Sequence, residues 1–261
     1  MTYRTLEIEH KDGVATLWMN RPDVFNAFDE TLIEELTAAC QTVNADDSVR
    51  VVVLAGRGKH FSAGADLNWM KRASVASQAE NFEDAKQFAH MLRTLSELDK
   101  PSIARVQGAA LGGGTGLTAA CDMAVASSDA SFATSEAKFG IIPSVISPYV
   151  LRAIGPRQSL RYFQSAERFG AQRAYDMGLV QEVVPLDQLD AKVAELVAAL
   201  KTCGPKAQVA AKSLIHAVSN RPIGDDVITE TATRISAIRA TDEAKAGISA
   251  FLEKRPAPWC L

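Results

Sequence analysis

The sequence predicts an α/β fold, and three features carry the prediction. Short strand-like segments, apolar or alternating, recur between amphipathic segments of helical period from Leu6 to Val184. At the centre, the apolar residues 103–106 run through Gly112, Gly113 and Gly114 into the helix-like composition of Leu117, Ala119 and Ala120. From Leu186 onward the pattern is helical only, which places a domain boundary near residue 195, between a core of residues 1–195 and a helical region of 196–261.

Taken in order, residues 6–10, the Asp12-Gly13 turn and then Val14, Thr16 and Trp18 pattern as a β-hairpin with one buried face. Asp29 is placed to cap a helix whose apolar positions Leu32, Ile33, Leu36, Cys40 and Val43 recur at helical spacing. Residues 51–54 are a continuous apolar run short enough for a buried strand. A glycine-rich loop, residues 55–67, precedes a second amphipathic helix over 80–98 with Phe82, Ala85, Phe88, Ala89, Leu92 and Leu95 inward, ended before Pro101. After the central stretch come short strands at 123–126 and 131–133, a helix starting at Gly155-Pro156, a helix stop at Gly178 and a last strand at 180–184. Helices are expected over 186–201, 205–219, 223–240 and 242–253, with a frayed tail after them.

Composition narrows the function. With 47% hydrophobic and 23% charged residues, the 261-residue chain can build a sizeable core. A net charge of −3 argues against a surface built to neutralise phosphates, so nucleic acid is a poor partner. The four cysteines, Cys40, Cys121, Cys203 and Cys260, are far apart, with no spacing for zinc or a disulfide framework, which fits a reducing compartment such as the cytoplasm. The amino terminus runs straight into strand-like alternation instead of a signal or transit pattern, and no apolar run reaches the roughly 18 residues of a membrane span.

Familiar phosphate motifs fail. A P-loop ending near Gly58 would need glycine where Val53 stands, and the dinucleotide spacing from Gly112 and Gly114 would need glycine at Leu117. What the central stretch does offer is a helix start after glycine, whose first N–H groups have no partner inside the helix and can hold an anion. About twenty residues on stands Glu136, the most plausible acid or base, among small and apolar neighbours. The expected site is a backbone oxyanion hole facing one carboxylate. Asp66 reads as a loop cap, Asp122 as structural, and His60 as the one histidine near enough to the loop to watch.

The segments NRPDVFNAF, FSAGADL, ALGGGTGL, ACD, SEAKFGIIP and FLEKRPAPW, in this order and spacing, resemble the enoyl-CoA hydratase/isomerase or crotonase superfamily. GADLNWMKRA, IIPSVISPYVLRAIG and AERFGAQRA are similar, within it, to bacterial methylglutaconyl-CoA hydratases. The resemblance implies a spiral of ββα units, a C-terminal helical region used for trimerisation, commonly a hexamer, and a CoA thioester substrate with no metal or redox cofactor. It implies that the backbone N–H groups of Ala65 and Gly113 form the oxyanion hole and that Glu136 exchanges protons with the α-carbon. Arg21, Val24 and Ala27 would run along CoA; Ala63, Asp66, Leu67, Gly112 and Gly116 would line the substrate; Phe251 and Lys254 would meet CoA, often across a subunit boundary. Hydratases of the family carry a further glutamate where this chain has Gly116, and the glycine would leave room beside the β-carbon. The functions implied are hydration of a 2-enoyl-CoA, most specifically 3-methylglutaconyl-CoA, or alternatively Δ3,Δ2-enoyl-CoA isomerisation. RNA binding, associated with a eukaryotic methylglutaconyl-CoA hydratase, is disfavoured by the acidic balance. For a distal substrate carboxylate, Lys71 or Arg72 is the candidate cation.

Overall fold

The computed structural model describes residues 3–260; Met1, Thr2 and Leu261, the ends of the amino-terminal and tail segments read above, lie outside the described residues. The chain divides into two compact units, Met1–Leu98 with Ser102–Ala194, and Asp99–Pro101 with Glu195–Leu261.

The first unit is layered from two sheets and the helices that follow their strands. β1 (Leu6–Lys11) and β2 (Val14–Met19) pair antiparallel, and Asp12 and Gly13 between them have φ of 49° and 77°, the left-handed pair that a tight hairpin turn needs. The buried face differs from the expected one: Ala15, Leu17 and Met19 point inward, whereas Val14, Thr16 and Trp18 are only half-buried. Trp18 instead lies under the Arg57 guanidinium, 4.0 Å from its ring centroid, and donates its indole N–H to Glu9. α1 (Glu30–Ala45) starts where Asp29 accepts from Leu32 N–H, and buries the predicted stripe against the sheet. β3 (Val51–Gly56) is buried at all six positions, as a parallel strand covered on both faces must be.

Two helices follow. α2 (Leu67–Ala73), not expected from the sequence, is capped by Asp66. α3 (Gln78–Ser96) begins at a Ser77–Glu80 capping box, and its buried residues are Met91, Leu92, Leu95 and Ser96. Phe82 and Ala85, predicted inward, are exposed because only the second half of this helix lies over the core. Two later strands of the large sheet each hand the chain to a short strand of a second sheet. β4 (Ser102–Val106) is followed by β5 (Ala109–Leu111) and α4 (Gly113–Ala120), and β6 (Met123–Ser127) by β7 (Ser131–Ala133). β5 is a strand the sequence reading missed, taking residues 103–106 directly into the helix.

α5 (Ser147–Ser165) starts eight residues before the predicted Gly155-Pro156. That dipeptide is a break within it, with Gly155 at φ 73°. β8 (Phe169–Gly170), α6 (Ala171–Asp176) and β9 (Glu182–Val184) complete the unit. The large sheet has the order β1-β2-β3-β4-β6-β9 and the small one β5-β7-β8. Two ββα passes, β4-β5-α4 and β6-β7-α5, thus set the start of α4 beside the end of β7.

Four helices close the chain: α7 (Leu189–Lys201), α8 (Pro205–Val218), α9 (Asp225–Arg239) and α10 (Asp242–Leu252). In the second unit Glu243 accepts from the N–H groups of Lys206 and Ala207 at the start of α8. The tail is not frayed there: Trp259 lies where a Cβ on Gly247 would stand and donates to Thr202 O at 2.9 Å. No helix among the described residues is long and apolar enough to cross a membrane.

Candidate active site

The glycine-rich loop after β3 is stitched to the small sheet. Phe61 N–H donates to Gln107 O (2.9 Å), Ser62 N–H to Ala109 O (3.0 Å), and Leu111 N–H to Ser62 O (2.9 Å). On the loop's other side Phe28 N–H donates to Gly64 O (2.7 Å), and Asp66 N–H to Phe28 O (2.8 Å). Between these bonds the exposed Ala65 keeps an N–H that makes no hydrogen bond among the described residues. The first N–H of α4, on Gly113, makes none either, as the start of a helix dictates.

The two amides are brought to one place by Gly112. Its N–H is held by Ala133 O at 2.7 Å, and its φ of 51° with ψ of −114° is a conformation that only glycine adopts without strain. A Cβ there would stand 3.2 Å from Glu136 Oε1 and 3.9 Å from the Gly64 Cα, so the loop, the helix start and the carboxylate converge on this residue. The next two glycines are required by packing. A Cβ on Gly113 would meet Phe28 and Phe88 at 2.9 Å, and one on Gly114 would meet Ser62 O at 2.5 Å.

Glu136 opens a short 3-10 turn, Glu136–Phe139. Burial pushes its carboxyl above the ordinary 4.5, and its Oε2 is buried with no hydrogen-bond partner. An upward shift is the direction that suits a carboxyl which must both take and return a proton. The same burial has a stability consequence. Because the folded state favours the protonated form, Glu136 stabilises below the unfolded pKa, and that contribution is lost as pH rises through the raised folded pKa. Glu136→Gln is therefore expected to be more stable than the parent at neutral pH, with the gap in Tm closing as pH falls below 4.5. A gap that does not change with pH would mean that the carboxylate is not desolvated.

A clasp holds the loop. Arg21 pairs with Asp29 at 2.9 Å and Asp66 at 3.0 Å and donates to Ala27 O. Burial raises the Asp66 carboxyl, but the N–H groups of Asn68 and Trp69 and the Arg21 guanidinium outweigh it and hold the group below its ordinary value. Asn26, fully buried at φ 53°, accepts from Arg21 N–H and donates to the carbonyls of Arg57 and His60. His60 Nδ1 accepts from Ala109 N–H at 3.0 Å, a structural use of this histidine. Arg21→Ala leaves two largely buried carboxylates unpaired, so it is expected to cost about 1–3 kcal/mol of stability. By loosening the Ala65 amide, the same change should lower kcat about 10-fold or more. Denaturant melts and steady-state kinetics check both, and unchanged kcat in a folded variant would remove Arg21 from the positioning of the loop.

Comparison with known proteins now decides the class. The enoyl-CoA hydratase/isomerase family model matches residues 9–260. The chain belongs to the enoyl-CoA hydratase/isomerase family. It is 33% identical over 262 residues to a crotonyl-CoA hydratase of Syntrophomonas wolfei, covering 98% of each chain. To a hydroxycinnamoyl-CoA hydratase-lyase of Pseudomonas fluorescens it is 37% identical over 215 residues, 80% of this chain and 77% of that one. A crystal structure from Legionella pneumophila described as an enoyl-CoA hydratase/isomerase (crotonase) superposes with a TM-score of 0.93 at 44% identity, covering 98% of both. The fold is the crotonase fold, and the activity is of the enoyl-CoA hydratase type, on CoA thioesters.

The residues expected at the site of an enoyl-CoA hydratase/isomerase are spread over both units. Ala65, Gly112, Gly113 and Glu136 come together as described. Ala63 donates its N–H to Phe25 O at 2.9 Å and Asp66 caps α2, so both shape the loop, while Leu67 projects from it, 73% exposed. Val24 is exposed and Ala27 buried, and Arg21 between the two acids and Ala27 O has its guanidinium committed within the chain. Arg72, a candidate for a distal carboxylate, is paired with Glu30. Phe251 and Lys254 lie in the second unit, Phe251 82% exposed and Lys254 just past the end of α10.

The room expected beside Gly116 is not there. Gly116 is buried, and a Cβ on it would stand 2.8 Å from Ile146 Cβ and closer still to Ile146 Cγ2. Sequence reasoning also missed Asn26 and Phe28, and it placed Phe88 inward without linking it to the glycines. Asn26 had a legible signal, a buried-type polar residue between aromatics in VFNAF, but the two phenylalanines carry no mark of the glycine they contact.

Proposed function

We propose that this enzyme adds water reversibly to a 2-enoyl-CoA, and that its substrate is 3-methylglutaconyl-CoA, giving 3-hydroxy-3-methylglutaryl-CoA in leucine breakdown. The observation that carries the chemistry is the meeting of two unpartnered amides, Ala65 and Gly113, with the Glu136 carboxylate around Gly112. As the water oxygen bonds to the β-carbon, the double-bond electrons shift towards the thioester and negative charge grows on its carbonyl oxygen. Two fixed N–H groups stabilise that charge, and the dipole of α4 adds in the same direction. Glu136 takes the proton that the water loses and returns one to the α-carbon, which regenerates the carboxylate. No metal or redox cofactor enters this balance.

Hydration as the reaction class is supported by the relatives named crotonyl-CoA hydratase and hydroxycinnamoyl-CoA hydratase-lyase. The acyl group rests on the similarity of GADLNWMKRA and the neighbouring segments to methylglutaconyl-CoA hydratases. A second reading, Δ3,Δ2-enoyl-CoA isomerisation, is favoured by the single carboxylate at the site, since a double-bond shift needs one group to move a proton from C2 to C4 or back. Purified protein assayed on crotonyl-CoA, 3-methylglutaconyl-CoA and a 3-enoyl-CoA separates these. Hydration of the methylglutaconyl ester with the highest kcat/KM supports the proposal; double-bond shift without hydration replaces it by the isomerase reading. Self-association as a trimer or hexamer in the cytoplasm belongs to the same proposal. Exposed Ile228, Ile235, Ile248, Phe251 and Leu252 of the second unit support an association surface there, which sedimentation can test.

A further inference from the structure

Phe28 touches both segments that carry the amides assigned to the oxyanion hole. Its N–H donates to Gly64 O (2.7 Å) and its C=O accepts from Asp66 N–H (2.8 Å), which makes it the bridge partner of Ala65. These bonds use the groups on either side of Ala65 and leave the Ala65 N–H out. The ring of the same residue, fully buried, reaches the other donor: its Cε2 and Cδ2 lie 2.9 and 3.0 Å from the place of a Cβ on Gly113. Gly113 has no side chain of its own to anchor it, so what packs against its Cα fixes it laterally. Phe88 Cζ closes the same place at 2.9 Å, and the Phe28 and Phe88 rings meet with centroids 5.2 Å apart. Trp69 of α2 stands edge-on to Phe88 at 6.3 Å, and α2 is the helix that Asp66 caps, directly after Ala65. The contacts thus run in a closed circuit from one donor to the other and back. The chain neighbours of Phe28 are fixed as well, Ala27 O and Asp29 both being held by Arg21.

We propose that Phe28 is a positioning residue for the reaction: its backbone sets the Ala65 amide and its ring sets the Gly113 amide, so that the two donors keep one spacing. An oxyanion hole stabilises charge only while both donors stay about 2.7–3.1 Å from the oxygen, and misplacement by about 1 Å can cost roughly 10²-fold in rate. A smaller side chain at position 28 keeps both backbone bonds and lets Gly113 shift towards the vacated space, which changes the distance between the donors without removing either. Phe88 backs the ring from α3. The proposal rests on the reading of the Ala65 and Gly113 amides as the oxyanion donors.

The test uses the full chain with Phe28→Leu and, on the backing ring, Phe88→Leu. Two readouts are combined: kinetics on the enoyl-CoA that the parent turns over fastest, and the infrared band of bound butanoyl-CoA labelled isotopically at its thioester carbonyl. Hydrogen bonds to the carbonyl oxygen lower its stretching frequency, so the band reports the donors, and a general loss of packing in a folded protein does not move it. In Phe28→Leu kcat should fall about 10-fold or more with the butanoyl-CoA inhibition constant nearly unchanged, and the band should move back towards that of the free ester. Phe88→Leu, which leaves the Phe28 ring in place, should change both in the same direction and by less. A folded Phe28→Leu with the parent's kcat, or with a lowered kcat but the parent's band, would overturn the role. If Phe28→Leu does not fold, Phe88→Leu decides: the parent's band and kcat there overturn the proposal, and a displaced band with lowered kcat supports it. Failure of the underlying reading shows separately, in the parent itself, as a bound carbonyl band that coincides with that of the free ester.

Discussion

Glu136→Gln is expected to lower kcat about 10²-fold or more while leaving CoA-ester affinity nearly unchanged. Glutamine keeps the size and the hydrogen-bonding reach of the side chain but cannot take a proton, and Glu136 is the carboxylate that stands nearest the Gly112 Cβ position, at 3.2 Å. The neutral amide also suits the half-buried position better than a carboxylate whose Oε2 has no partner. The variant should therefore fold at least as well as the parent at neutral pH, which makes a loss of rate chemically interpretable. Steady-state kinetics on an enoyl-CoA, with an inhibition constant for a saturated acyl-CoA as the measure of affinity, check this. Activity within a few-fold of the parent would take Glu136 out of the mechanism.

The second large effect is expected at Ala65. Ala65→Pro deletes the N–H that makes no hydrogen bond within the chain, and the loss of one oxyanion donor typically costs about 10²–10³ in kcat. Ala65→Gly keeps the N–H and should be much milder. The loop itself is anchored by bonds on either side of the residue, from Phe28 N–H to Gly64 O and from Asp66 N–H to Phe28 O, neither of which uses the Ala65 amide. If both variants lost activity equally, the loop's conformation rather than its N–H would be the active ingredient. The comparison also weighs the backbone against Arg21. That residue holds Asp66 and so acts on the same amide from the far side, and its removal should cost less in rate than deleting the donor.

Much of the fold was legible because it is written in local patterns. α1 carries its cap, Asp29, and its buried stripe in consecutive residues, and both are found in place. β3 is a short run of apolar residues, the pattern of a strand covered on both faces. The hairpin was legible in its turn but not in its face: Val14, Thr16 and Trp18 are as apolar or β-branched as Ala15, Leu17 and Met19, and alternation alone does not say which set meets α1. α3 misled for the opposite reason. Its apolar residues continue to Phe82, past the point where the core ends, and periodicity carries no information about where a helix loses its cover.

At the site, the glycine triplet and the carboxylate were visible as residue types, and the requirement for unpartnered amides at a helix start follows from backbone geometry alone. The amino-acid sequence by itself thus determined the α/β class, the strand-to-helix turn at Gly112 and the identity of Glu136 as the acid–base candidate. The tertiary structure decided what stands across from each of them. β5 is three residues long, too short for any period, yet it aligns the loop carrying Ala65 with the start of α4. Arg21 and Asp66, 45 residues apart, are brought together as an ion pair. Gly116 is a glycine because Ile146, thirty positions later, needs its space. Such approaches leave only an absent Cβ in the sequence, and the atom that requires the absence is brought there by the packing of α4 against α5.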